Sequence, residues 1–215
     1  MKASEIVRWG GSAACLLYAA ILYVAGIRPS ESAASVLAYV PTAVGLLAIA
    51  VDKYLWKLPF IQRFVPRPHI GGSWLTTIQP SKDSRIPEGG NRGPIEAAVV
   101  IEQTLWSLHI TLLTGESSSQ SVAASIARNG ESNERWSVTY VYQNEPKQEH
   151  RRRSPVHRGA SNLQATGGSP KQMEGTYWTD RFTAGDMTLK LVTRETDFAN
   201  LQDLLSHARR VGAKT

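Results

Sequence analysis

Cysteine is nearly absent from this 215-residue chain: Cys15 is the single one. One thiol excludes a disulfide framework or a cysteine-based metal site within one chain, and it fits a reducing compartment. Catalytic signatures are missing as well. The sequence contains no GxxxxGK[ST], no HExxH, no GxSxG and no dinucleotide-type glycine fingerprint after a strand. The five histidines, at positions 69, 109, 150, 157 and 207, have no metal-ligand spacing. An enzyme needs a nucleophile–base or acid–base pair, and no such pair is visible. The reading is therefore a non-enzyme with no cofactor.

Charge is the next absence, and it is local. Residues 9–27 and 32–51 contain no Asp, Glu, Lys or Arg, and only Arg28-Pro29-Ser30-Glu31 separates them. At about 1.5 Å per helical residue, either run covers nearly the roughly 30 Å hydrocarbon core of a bilayer. A four-residue connector then predicts a tight helical hairpin. A cleaved signal peptide or a buried soluble helix would explain the first run alone, but the second run counts against both. Lys2 and Arg8 precede the first run; Lys53, Lys57, Arg63 and Arg67 follow the second. This cation bias predicts a multi-pass membrane protein with both termini in the cytoplasm. Small residues such as Ala13, Ala14, Gly45 and Ala48 either pack the hairpin against itself or serve a self-associating membrane helix. Pro41 removes one backbone donor in the second run. The expected boundaries are a two-helix transmembrane hairpin over 1–56, a linker rich in Pro, Gly and cations over 57–72, and one water-exposed domain over 73–215.

That domain is present in strand patterns. Alternating or β-branched segments fall at 74–79, 95–103, 107–114, 119–127, 135–143, 156–163, 173–179 and 187–193. Turn chemistry separates them, as at Asn129-Gly130, Gly167-Gly168 and Ala184-Gly185. Two longer loops, 80–94 and 147–158, interrupt the series; the first is expected to be mobile. Eight short strands at regular spacing predict an all-β antiparallel barrel or a sandwich, and closure into an eight-stranded barrel would remove exposed edges. A C-terminal helix follows, with Asp197 as its expected cap and Phe198, Leu201, Leu204, Leu205 and Ala208 as its apolar stripe.

Candidate binding residues are polar and aromatic side chains sharing strand faces. Tyr140 and Tyr142 share one face, as do Tyr177, Thr179 and Arg181, and Trp74 and Thr76 share another; Ser117, Ser119 and Ser121 are in phase. A barrel interior holding them could stack nucleobases on the aromatics and hydrogen-bond phosphates through the hydroxyls and Arg181. The same pattern also fits an ordinary aromatic core with its hydroxyls outward, because parity does not say which face is inside. His109 alternates with Ser107 and Thr111, opposite Leu108, Ile110 and Leu112, so it reads either as a ligand contact or as a hydrogen-bonded structural histidine. The net charge of +6, with the run Arg151-Arg152-Arg153, suits contact with anionic inner-membrane lipids or bound phosphates rather than a nucleic acid polymer. A lipid or other apolar ligand is the alternative occupant for a small barrel.

Ordered motifs narrow this. Two uncharged runs are followed by Gly72-Ser73-Trp74, Ile101-Glu102-Gln103-Thr104-Leu105-Trp106 and Ser117-Ser118-Ser119-Gln120-Ser121. Then come Tyr140-Val141-Tyr142-Gln143-Asn144-Glu145-Pro146, His157-Arg158-Gly159 and Glu174-Gly175-Thr176-Tyr177-Trp178-Thr179-Asp180-Arg181. This set resembles the two-span, β-strand-rich effectors of bacterial cyclic-oligonucleotide antiphage signalling (CBASS), the CD-NTase-associated protein 15 type. The resemblance implies a minimal barrel on a membrane anchor in the bacterial inner membrane. It implies as activating ligand a cyclic dinucleotide made by a partner CD-NTase. It further implies homo-oligomerisation, membrane disruption and abortive infection. It favours Tyr140, Tyr142, Tyr177, Thr179 and Arg181 as pocket positions, with Trp74, Thr76 and His109 as further candidates.

Overall fold

The computed structural model describes residues 16–20, 23–24, 26, 31–62, 64–65, 67–130 and 134–212, with the side chains of 31–38, 40 and 41 left out. Cys15, Ala13, Ala14 and most of the first uncharged run therefore lie outside the described residues, and so does the Pro41 side chain. The chain divides into two compact units, residues 1–65 with 104–107 and residues 66–103 with 108–215.

In the first unit, α1 (Glu31–Lys53) takes in the second uncharged run, and a 3-10 turn at Leu55–Lys57 and the short α2 (Pro59–Gln62) follow. Among the described residues no helix is long and apolar enough to cross a membrane. The expected hairpin is thus not found there. Apolar side chains of this unit are nonetheless bare, including Leu46 at 63% and Leu47 at 59% exposure. Residues 104–107 join the unit through Asp52, whose backbone carbonyl accepts from the Leu105 N–H at 2.9 Å and whose Oδ1 accepts from the Trp106 N–H at 3.2 Å.

The second unit is an eight-stranded closed barrel of antiparallel neighbours in chain order. Its strands are β1 (Gly72–Pro80), β2 (Ile95–Gln103), β3 (Leu108–Leu113), β4 (Ser117–Arg128), β5 (Arg135–Pro146), β6 (His157–Thr166), β7 (Gln172–Thr179) and β8 (Ala184–Thr193). Closure pairs β8 with β1, from Ser73 opposite Thr193 to Pro80 opposite Gly185, and leaves no free edge. All eight expected strands are present, and of the barrel and sandwich alternatives the barrel is the fold.

Period-two alternation builds the core. Trp74 and Ile78 of β1, Ala97, Val99 and Ile101 of β2, Ile110 of β3, Trp136, Val138 and Tyr140 of β5, and Leu163 of β6 all point inward. Met187 and Leu189 of β8 complete the same cluster. A register shift between Ser121 and Ala123 marks a bulge in β4, which changes the parity of that strand halfway along. Gly175 and Gly185 sit where neighbouring strands run close: a Cβ at either would land on the backbone carbonyl of Asn162 or of Gln79.

At the end where β1 begins, the entering chain is locked down rather than free. The Gln103 side chain accepts from the Ile70 and Gly71 N–H groups at 2.8 and 2.9 Å and donates to the Pro68 carbonyl at 2.8 Å. Arg194 donates to the carbonyls of His69 and Gly71 and to Ser169 Oγ. Residues 68–71 of the expected linker are thus part of the barrel.

The C-terminal helix α3 (Leu201–Gly212) lies on the outside of the barrel. Leu201 and Leu204 cluster with Ala98, Leu75, Leu113 and Val192, covering the exterior where β1, β2, β3 and β8 meet. Its cap is Asn200, whose Oδ1 accepts from the Asp203 N–H at 3.0 Å, and not Asp197. The helix starts later than expected because Asn200 is the residue placed to satisfy that orphan donor.

Candidate functional site

The barrel is filled at the end where β1 begins and open at the other. There, a cavity of about 170 Å³ is lined by Ile78, Ile95, Leu112, Thr114, Ser117, Ser119, Tyr140, Tyr142, Asn144, Ser154, His157, Tyr177, Thr179, Thr183 and Met187. Every strand brings at least one side chain to it, because all eight tilt past the same mouth. The aliphatic groups line one part of the wall. Tyrosines, hydroxyls, one carboxamide and one imidazole make the rest.

The aromatics form a connected group. Tyr140 and Tyr142, two apart on β5, place their ring centroids 5.8 Å apart at 43°. Tyr142 lies across the backbone of β6, and Gly159 makes that possible, since a Cβ there would meet the Tyr142 hydroxyl and ring. Burial pushes the Tyr140 hydroxyl up to about 12, only partly opposed by Ser161. Burial likewise raises Tyr177 to about 12, with Asp186 adding to it, and raises Tyr142, with Tyr140, Tyr177 and Asp180 adding. All three stay protonated donors across the physiological range.

Beside them runs a polar chain. The Ser119 hydroxyl donates to Asn144 Oδ1 at 2.8 Å, which fixes the carboxamide with its amino group turned the other way. His157 Nδ1 lies 3.0 Å from the Pro155 carbonyl, which can only accept, so Nδ1 carries the proton and Nε2 keeps its lone pair. The 3.5 Å approach of Asn144 Nδ2 to His157 Nδ1 then brings two donors together and leaves the Asn144 amino group to be matched by an acceptor. Burial lowers the His157 pKa, the Pro155 contact opposing it, which favours the neutral ring. At the rim, Thr179 Oγ1 and Thr183 Oγ1 are 2.7 Å apart and close the β7–β8 turn.

The expected residues divide into groups. Tyr140, Tyr142, Tyr177 and Thr179 all line the cavity. Trp74 is wholly buried below it, its indole N–H donating to the Ile70 carbonyl at 3.1 Å. Thr76 is on the same inner face and 3% exposed, and its Oγ1 has no hydrogen-bond partner. His109 stands on the outer face of β3, with its ring nitrogens 3.4 and 3.5 Å from Ser121 Oγ and Thr111 Oγ1. Arg181 lies beyond the end of β7 and does not line the cavity. It holds the β5–β6 loop, donating to Ser154 Oγ at 2.7 Å and to the Arg153 carbonyl at 3.5 Å. Arg153 in turn pairs with Glu116 at 2.8 Å.

The 80–94 loop, expected to be mobile, is tied at its start. Ser84 is buried, its hydroxyl donates to the Ala184 carbonyl at 2.6 Å, and Arg85 sits 4.7 Å over the Phe182 ring. Asn144 and His157 were legible only as motif members, Thr114 ends the expected 107–114 segment in phase with Leu112, and Ser154 and Thr183 come from loops, where alternation carries no signal.

A closed antiparallel barrel with a polar-aromatic cavity at one end has the shape and the donors and acceptors to take part of a small ligand. The chain belongs to the family described as Cap15, cyclic dinucleotide receptor domain, whose model matches residues 65–191 and takes in the whole cavity. A relative, CD-NTase-associated protein 15 of Staphylococcus schleiferi, is 26% identical over 155 residues, covering 72% of this chain and 78% of that protein. The family resemblance read from the ordered motifs is thereby confirmed.

Proposed function

We propose that this chain is an antiphage effector whose barrel binds a cyclic dinucleotide in the end cavity. On this reading the bound nucleotide drives self-association and disruption of the bacterial inner membrane, in which the 9–27 and 32–51 runs form the anchor. The observation that carries the reading is the cavity itself: three tyrosines beside a fixed carboxamide and imidazole, within the stretch that matches a cyclic dinucleotide receptor domain. Aromatic faces accept a base by stacking, at about 1–3 kcal/mol per base, and the Asn144 amino group with the His157 Nε2 lone pair offers its edge a donor and an acceptor.

The size sets the pose. About 170 Å³ is below the roughly 300–1,000 Å³ of pockets that enclose a drug-sized ligand. One base enters while the phosphates stay at the mouth, near the loop that Arg181 and Arg153 hold. A phosphate that competes for Arg181 releases Ser154, and that differential contact is what couples binding to a second state. The uncharged runs and the bare apolar surface of the first unit support the membrane anchor. A lipid carrier would favour an aliphatic interior, whereas eight of the fifteen lining residues here are Ser, Thr, Asn or His.

Calorimetry of the full chain in detergent against a panel of cyclic dinucleotides tests the trigger. One member is expected to bind, and Tyr142→Ala to weaken it by at least about tenfold. A folded protein that binds none of the panel would sink the proposal.

A further inference from the structure

We infer that Phe182, with Arg85 laid over it, is a stacking platform for a second nucleobase at the rim of the cavity. The inference rests on the cyclic dinucleotide reading above and assigns the part of that ligand the cavity leaves outside.

Strain is the first observation. In the β7–β8 connection the Phe182 N–H donates to the Thr179 carbonyl at 3.2 Å, and the Thr179 N–H donates to the Thr183 carbonyl at 2.9 Å. This is a turn over 179–182 whose last residue is bulged, and that residue, Phe182, has a φ of 60°. Gly or Asn normally fills such a position, because a bulky side chain there crowds its own backbone. Among the described residues Phe182 is the one non-glycine with positive φ. Packing offers little in return, since the residue is 69% exposed. A side chain both strained and bare at the mouth of a site is one held for contact with something else.

Place is the second. Four connections ring the open end, 81–94, 114–116, 147–156 and 180–183, and Phe182 is the one Phe, Tyr or Trp in them. Thr179 and Thr183, on either side of it, line the cavity. The turn is held from both flanks: the Arg85 N–H donates to the Phe182 carbonyl at 3.1 Å, and Arg181 donates to Ser154 Oγ at 2.7 Å. The Arg85 guanidinium lies 4.7 Å from the Phe182 ring centroid and pairs with no carboxylate among the described residues. Its charge is thus available to a phosphate.

The ligand's own chemistry joins the two. A cyclic dinucleotide carries two bases on one ring of two sugars and two phosphates. The cavity of about 170 Å³ takes one base, and the macrocycle keeps the other at the rim. There Phe182 offers that base a ring to stack on, and Arg85 offers the adjoining phosphate a cation.

Calorimetry of the full chain in detergent, against the same cyclic dinucleotide panel, tests the platform. Phe182→Asn should weaken the member that binds by about five- to 150-fold, the loss of one stacked base. Its melting temperature should be no lower than the wild type's, because Asn accepts the left-handed backbone. Phe182→Tyr, which keeps a ring, should bind within about threefold of the wild type. Arg85→Ala should also weaken binding and flatten its dependence on salt. Unchanged affinity in Phe182→Asn, with Tyr142→Ala still weakened, would overturn the platform and leave the cavity reading standing. Weakening by Trp178→Ala in place of Phe182→Asn would overturn it too, placing the second base on the outer face of β7. So would a melting temperature more than about 4 °C lower in Phe182→Asn, since the ring would then be supporting the turn. A wild type that binds no member of the panel would refute the cyclic dinucleotide reading and the platform with it.

Discussion

Adding one methyl group at Gly159 tests whether the cavity is shaped by Tyr142. The Cβ of Gly159→Ala would fall on the Tyr142 hydroxyl, 2.5 Å from its Cζ and 2.7 Å from the Trp178 carbonyl oxygen. None of these distances is sustainable, so either the ring swings off β6 or the β6–β7 ladder opens. Overpacking of this kind costs about 1–3 kcal/mol. At about 2–4 °C per kcal/mol for a protein of this size, the expected drop in melting temperature is about 2–12 °C. Tyr142 lines the cavity, so a displaced ring changes its shape and ligand binding should fall as well. Removing the ring first should relieve part of the clash and leave the part owed to the Trp178 carbonyl. The double variant Tyr142→Ala/Gly159→Ala should therefore be more stable than the sum of the singles by about 0.5–1 kcal/mol. Thermal unfolding of the full chain in detergent, followed by tryptophan fluorescence, reads both quantities. An unchanged melting temperature in Gly159→Ala, or strict additivity in the double variant, would refute the placement of Tyr142 over Gly159.

Further expectations concern the rest of the mouth. Arg181→Ala removes the bonds to Ser154 and the Arg153 carbonyl, so limited proteolysis should cut within 147–156 faster than in the wild type; equal rates would mean the loop is held without it. Tyr140 and Tyr177 are raised to about 12, so an unfolded chain ionises them first as pH climbs past 10.0 and the fold loses stability there; ultraviolet titration should show both hydroxyls released only with unfolding. His157 has the opposite sign: its folded pKa lies below 6.5, the unfolded chain binds the proton more readily, and stability should fall as pH drops below 6.5. His157→Gln should flatten that acid limb, and an unchanged slope would exclude His157 as its source. Leu204→Ala, at a fully buried contact of α3, should cost about 2–4 kcal/mol or raise amide exchange throughout 201–212.

The sequence by itself determined the strands, their approximate limits and the helix, because period-two alternation and an apolar stripe are local properties of the chain. It also determined that Tyr140 and Tyr142 share a face, as do Tyr177 and Thr179, and the four meet in the cavity. Tertiary structure decided which face is inside. Closure puts the aliphatic side of β3 inward and leaves His109 outside; the two sides of an isolated strand are equivalent until the sheet closes. Depth along the barrel is likewise invisible to alternation, so Trp74 and Thr76 share the inner face yet lie below the cavity. Arg181 falls past the last paired residue of β7, where the turn ends the alternation that had grouped it with Tyr177 and Thr179. The bulge at Val122 resets parity within β4, placing Ser119 in the cavity and Ala123 on the outer face. Local pattern fixes what a segment forms; only the closed sheet, by bringing residues far apart in sequence to one mouth, decides what they form together.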